Sequence, residues 1–247
     1  MINRNHGIFL DFDGVLFDTV KEAYCVASIS TEAYQNVDEI SFDSEHYTLF
    51  RRFRYLVTSA WTYYYLLKVI DGAFDENSHE ERFRYFMDHQ DVAQHKKFER
   101  QFFRTRKVLK ETDEKSWLVL NLPYPFFTTV KRLIYNGPDR FYIITTKDKE
   151  TVLKLMDHYG LCFNKENIMD RYHYNRYLSK RNIIESIVHQ KKIEQSIFID
   201  DSRKHLTDCE NISGLTLFQP EWGYVKPGDS TVSEAKITLE IRKLLGG

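Results

Sequence analysis

The sequence predicts an α/β protein, a Rossmann-like parallel-sheet core carrying an inserted, mainly α-helical cap. Three observations predict it. Short apolar runs end abruptly in polar residues: Ile8-Phe9-Leu10 runs into Asp11 and Asp13, Phe141 to Ile144 into Thr145 and Thr146, and Ile197-Phe198-Ile199 into Asp200 and Asp201. Such runs read as strands buried on both faces, as in parallel sheets. Helical patterns separate the later runs, as right-handed crossovers between parallel strands require. Between the first run and the second lies a block with no strand-type alternation and no proline before Pro123, which favours long helices. The core is therefore assigned to residues 1–20 and 121–247, and the cap to 21–120.

The elements follow in order. The first strand is expected to end near Phe12, where Gly14 breaks it. Thr19-Val-Lys-Glu22 has the form of a capping box, so a helix should start near Val20. Tyr47 to Ile70 mixes aromatics and arginines at helical spacing and stops at Gly72; further helices are read over Glu80–Met87 and Val92–Lys110. Leu122-Pro-Tyr-Pro125 returns the chain to the core. A helix over Phe126–Tyr135 precedes the second strand, Phe141–Thr145. Next come a helix over Glu150–Tyr159, closed by Gly160, a short strand at Asn167–Met169 and a helix over Ser179–Gln190. The strand Ser196–Asp201, a strand at Leu215–Phe218 and a helix over Ser233–Leu245 complete the pattern.

Composition excludes some classes. Thirty-five Lys plus Arg face 36 Asp plus Glu among 247 residues, so no global charge bias points to nucleic acid or a membrane surface. No apolar segment approaches the roughly 18 residues a bilayer span needs. Cys25, Cys162 and Cys209 lie far apart, with neither the spacing of a zinc site nor a disulfide framework. The first apolar run is too short for a signal peptide and is interrupted by Asp11. A reducing cytoplasm is the expected location.

The chemistry lies at the strand ends. In a parallel sheet all carboxyl ends share one edge, where ligands bind. Carboxylates there are costly to desolvate without a cation or a reaction to use them. Alternation along the first strand should point Asp11 and Asp13 to one side. Two acids facing one crevice suggest a metal site with one acid free to act as nucleophile. Thr145, Thr146, Asp200 and Asp201 should reach the same edge, and Lys180, at the start of a helix, lies near it.

These motifs resemble those of the haloacid dehalogenase-like (HAD) superfamily, in its phosphoglycolate phosphatase and β-phosphoglucomutase-like branch with a helical cap. The resemblance rests on Asp11-Phe-Asp-Gly-Val-Leu-Phe-Asp-Thr19, on Thr145 with Thr146 and Lys147, on Lys180 before a helix, on Ile197-Phe-Ile-Asp-Asp-Ser202 and on Trp222-Gly-Tyr224. It covers about 1–20 and 121–247; the cap resembles the family only in position and helical character. It implies a HAD-like core and a Mg²⁺-dependent phosphatase acting on a small phosphorylated metabolite. Asp11 would be the nucleophile, Asp13 the proton shuttle, and Thr145, Thr146 and Lys180 the phosphoryl-binding groups. Asp11, the backbone carbonyl of Asp13, and Asp201 would hold the ion, with Asp200 binding through water or fixing Asp201. Lys147 is the rival to Lys180. Where many relatives carry a further acid, this chain has His205, which cannot replace a carboxylate for a hard cation, so Asp200 is expected to take over that work. Asp13 argues against the dehalogenase and phosphonate-cleaving branches. Ala23, where sugar phosphomutases often carry His, argues against that alternative. A binding protein that keeps the fold without turnover is the rival from another class.

Two cap features bear on substrate. Lys96, Arg100, Arg104 and Lys107 recur at spacings of four, four and three, one helix face, which either meets an anion or is simply solvated. Arg51, Arg52 and Arg54 beside Phe53 and Tyr55 either clamp a phosphorylated sugar or belong to an amphipathic helix with snorkelling arginines.

Overall fold

The computed structural model describes residues 5–72 and 78–246. The chain divides into two compact units, one running up to Asp18 and again from Pro123 onward, the other spanning Thr19–Leu122.

The first unit is built on five parallel strands: β1 (His6–Leu10), β2 (Phe141–Ile144), β3 (Ile168–Met169), β4 (Gln195–Ile199) and β5 (Leu215–Phe218). Their order across the sheet is β3-β2-β1-β4-β5. The central strand, β1, pairs on one side with β2, Ile8 opposite Phe141, and on the other with β4, Leu10 opposite Ile199. Along β1 the side chains alternate between two apolar layers. On one face Phe9, Tyr142, Ile144 and Phe198 pack against Ile183, Ile184 and Ile187, joined by Leu206 and Cys209. On the other face a helix carrying buried Ile237 and Ile241 lies over β1 and β4.

Among the described residues the second unit holds the α-helices α1 (Val20–Ser30), α2 (Glu45–Arg52), α3 (Thr62–Asp71), α4 (His79–Asp88), α5 (Val92–Thr112) and α6 (Glu114–Val119). The helical pattern read continuously over Tyr47–Ile70 is divided, with a short 3₁₀ turn at Arg54–Leu56 and a non-helical break before α3. Aromatic rings form its interior: Phe50 stacks on Tyr63 with centroids 5.5 Å apart, and Tyr63 on Phe102 at the same distance. The expected capping box at Thr19 does not form. The Thr19 side chain makes no cap hydrogen bond, and the fully buried Glu22 turns inward to accept from Arg106 Nε and Nη2 at 2.6 and 2.9 Å. A bidentate pair sealed from water outcompetes a local cap.

Six helices belong to the first unit: α7 (Pro125–Asn136), α8 (Lys149–His158), α9 (Arg171–Tyr177), α10 (Lys180–Lys191), α11 (Arg203–Cys209) and α12 (Glu234–Leu245). Pro125 occupies the first turn of α7, where a missing N–H costs nothing. Ser179 caps α10 by accepting from Asn182 N at 3.1 Å, and this places Lys180 at the helix's first position. The short helices α9 and α11 were not foreseen. All three cysteines are free. Among the described residues, no helix is long and apolar enough to cross a membrane.

Candidate active site

β1 ends at Leu10, so Asp11 and Asp13 sit just past the strand rather than within it. Each carboxylate meets a different lysine. Asp11 is buried, with Oδ2 2.8 Å from Lys180 Nζ and Oδ1 accepting from Phe12 N at 2.7 Å. Asp13 Oδ1 lies 3.1 Å from Lys147 Nζ, whose side chain is 1% exposed. Lys147 and Lys180 thus engage different acids.

Strand register explains the second acidic pair. Leu10 pairs with Ile199, so the next residues, Asp11 and Asp200, emerge side by side. Asp200 shares the parity of Phe198, facing α10 and α11, and Asp201 the opposite parity. Asp200 is fully buried. Its Oδ2 accepts from Lys180 Nζ at 2.7 Å, its Oδ1 from Ser202 N at 2.9 Å, and both oxygens lie 3.2 Å from His205 Nδ1. Asp201 turns toward the loop after β1: its Oδ2 accepts from Tyr224 N at 2.9 Å, and its backbone carbonyl accepts from Gln219 Nε2.

Gly14 and Gly223 make that seat. A Cβ on Gly14, at φ +81°, would stand 2.1 Å from Asp201 Oδ2, and one on Gly223 would stand 2.5 Å from Asp201 Cβ. Trp222 Nε1 donates to the Val15 carbonyl at 3.0 Å, and the Tyr224 hydroxyl to Asp18 Oδ1 at 3.0 Å, so the Trp222–Tyr224 stretch clasps the β1 loop. Gly14→Ala should expel Asp201 and destabilise the fold by at least the roughly 1–2 kcal/mol of a left-handed backbone. A lowered melting temperature would register it, and an unchanged one would mean that the seat can relax.

Thr145 is buried at the end of β2; its N–H donates to the Met169 carbonyl, and its Oγ1 accepts from Lys147 N at 3.1 Å. The hydroxyl thus helps shape the turn that presents Lys147. Thr146 is half-buried beside it. In the second unit Lys96, Arg100, Arg104 and Lys107 are all exposed on α5. Arg54 is turned back onto its own unit, over the Tyr63 ring and donating to the Val57 carbonyl.

Electrostatics separate the two acids that share Lys180. Burial pushes the Asp11 carboxyl up to about 6, with Lys180 opposing and Asp200 adding to the rise. Burial would raise Asp200 as well, but Lys180 and then His205 hold it down at about 2. Lys180 is held charged: burial works against its ammonium, and Asp11 and Asp200 outweigh burial. The carboxylate oxygens of Asp11 and Asp200 gathered beside Lys180 are donors of the kind a hard divalent cation takes. Among the described residues, ligand atoms of Asp11, Asp200 and His205 lie within 4.8 Å of one another. The sequence missed His205 as a partner of the acids, although its place five residues after Asp200, in the first turn of α11, signals it.

No family model matches the chain, and no curated protein matches it. Solved structures do. A predicted phosphatase from Clostridium acetobutylicum aligns with a TM-score of 0.60 at 12% identity, covering 97% of this chain and 99% of that one. A predicted phosphoglycolate phosphatase from Haemophilus somnus aligns at 0.59 and 13% identity, covering 98% and 99%. A haloacid dehalogenase-like family hydrolase from Streptococcus pneumoniae aligns at 0.50 and 14%, covering 98% and 100%. With its β3-β2-β1-β4-β5 parallel sheet and its helical insertion after β1, the chain has the HAD-like fold.

Proposed function

We propose that the protein is a HAD-type phosphatase that hydrolyses a small phosphate monoester through an aspartyl-phosphate. The observation that carries this reading is the pairing of each β1-loop acid with a buried lysine, Asp11 with Lys180 and Asp13 with Lys147, at the carboxyl edge of the sheet.

Asp11 is held by Lys180 and Phe12 N, so its attack needs little reorganisation. An Asp11 oxygen bonds to phosphorus while the ester P–O bond breaks, and Asp13 gives its proton to the departing oxygen. Asp13 then takes a proton from water, the water oxygen bonds to phosphorus, and the Asp11–phosphorus bond breaks to release inorganic phosphate. Thr145, Thr146 and Lys180 would hold the phosphoryl oxygens, with Lys180 offsetting charge between Asp11 and phosphate. Mg²⁺ is the ion proposed; Asp11, the Asp13 backbone carbonyl and Asp201 would hold it, with Asp200 close by, and it would neutralise charge on the phosphoryl group.

A panel of phosphorylated metabolites, with phosphoglycolate and p-nitrophenyl phosphate among them, tests the proposal. Mg²⁺-dependent phosphate release is expected from at least one compound and should disappear in Asp11→Asn. Release from none would return the chain to the binding-protein alternative. Charge reversal at Arg100 and Arg104 belongs in the same panel: unchanged kinetics on every substrate would make the α5 face solvated surface.

A further inference from the structure

Asp200 and His205 stand together, His205 being the residue this chain has where the resemblance implies a further acid. The structure shows what the rearrangement builds. His205 Nδ1 lies 3.2 Å from both oxygens of Asp200, Asp200 Oδ2 accepts from Lys180 Nζ at 2.7 Å, and the same Nζ stands 2.8 Å from Asp11 Oδ2. All four side chains are buried. A carboxylate can only accept here, so His205 carries a proton on Nδ1 and donates it.

We infer that His205 is a positioning residue for Lys180, acting through Asp200. The inference rests on the phosphatase reading only for its kinetic consequences. Asp200 bonds at one oxygen to the amine it must aim and at the other to Ser202 N; His205 is the group that spans both oxygens and opposes rotation of the carboxylate plane. Three elements converge on this one acid: the end of β4, the first residue of α10 and the first turn of α11. With His205 removed, Asp200 can turn within the space left, and Lys180 follows it away from Asp11. Lys180 thereby keeps two carboxylates, and the neutral or cationic ring at 205 sets no third carboxylate against them.

The test has a structural arm and a kinetic arm. A crystal structure of His205→Ala should show Lys180 Nζ withdrawn from its 2.8 Å contact with Asp11 Oδ2; an unmoved amine overturns the inference whether or not the protein turns over any substrate. With p-nitrophenyl phosphate, His205→Ala should lower kcat by about 10–100-fold, the usual effect of losing a group that orients another, with KM within about twofold of wild type. His205→Asn, whose side-chain N–H reaches the place of Nδ1, should restore most of the loss. His205→Asp, which sets a second carboxylate against Asp200, should do worse than Ala. In a Lys180→Met background His205→Ala should add less than about twofold, because both changes act through one amine; a full additive loss overturns the inference. So does a His205→Ala protein that keeps Lys180 in place but loses Mn²⁺ or Mg²⁺ affinity by calorimetry, since that assigns the imidazole to the ion. A wild type that hydrolyses nothing removes the phosphatase reading and leaves the structural arm to decide the role of His205.

Discussion

Asp11→Asn is expected to abolish phosphate release, by more than about 1,000-fold in kcat, while leaving the fold intact. An amide at that position cannot form the phosphoenzyme, and the remaining groups supply only binding and charge stabilisation. The same substitution should stabilise the metal-free protein at neutral pH. Asp11 titrates near 6 in the folded chain, against an ordinary value of 3.8. A carboxyl with a raised folded pKa favours folding in acid, and that contribution is lost as pH rises through the folded value. Asp11 therefore costs the folded state at most about 3 kcal/mol above pH 6, at 1.36 kcal/mol per pH unit. Asn is spared that cost. Its melting temperature should exceed that of wild type at pH 8, and the gap should close near pH 4. Melts of the two proteins across this range, with chelator present, check the sign. A wild type equally stable at both ends would show Asp11 to be unstrained. Added divalent cation should narrow the gap at pH 8, because it stabilises only the ionised carboxylate.

Lys180→Met is expected to have the largest effect on stability. It removes the amine shared by two buried carboxylates, 2.8 Å from one and 2.7 Å from the other. Breaking a buried ion pair by removing one partner costs about 3–5 kcal/mol, because the other charge stays buried. Here two charges are stranded side by side, so they should take up a proton between them, and the loss should grow as pH rises from 5 to 8. Denaturant titrations at the two pH values would show this. Adding Asp200→Asn should recover much of the stability but none of the activity, since Asp11 would still lack its cation. Equal stability of Lys180→Met and wild type at pH 8 would mean that water, not the amine, satisfies the two acids.

The strands that end in polar residues could be read one residue at a time, because burial on both faces leaves a continuous apolar run. Ile8–Leu10, Phe141–Ile144 and Ile197–Ile199 are such runs, and together they announced the parallel sheet and the edge where the chemistry gathers. The identity of partners was less legible. Which of Asp200 and Asp201 faces Asp11 depends on register, and a slip of one position exchanges them. The pairing of Leu10 with Ile199 brings Asp200 beside Asp11. Lys147 and Lys180 looked alike because the sequence shows two lysines near one site, not which acids each meets. Thr19 and Glu22 showed the local pattern of a cap, but Arg106, 84 positions away, claims Glu22. Helices α9 and α11 are seven residues each, too short for periodicity to show.

The strand order has a consequence for how the chain is made. β1 is the first strand of the sheet in chain order and also its central one. Ile8 meets Phe141, 133 positions on, and Ile197, 189 positions on. During synthesis, β1 has no partner until the helical insertion and α7 have emerged, and one of its edges stays open until β4 follows. An apolar strand with an open edge is a template for pairing with another chain, and contacts so distant in sequence close slowly. The strand that leads into the acids thus waits with open edges during synthesis and becomes, on completion, the centre of the sheet.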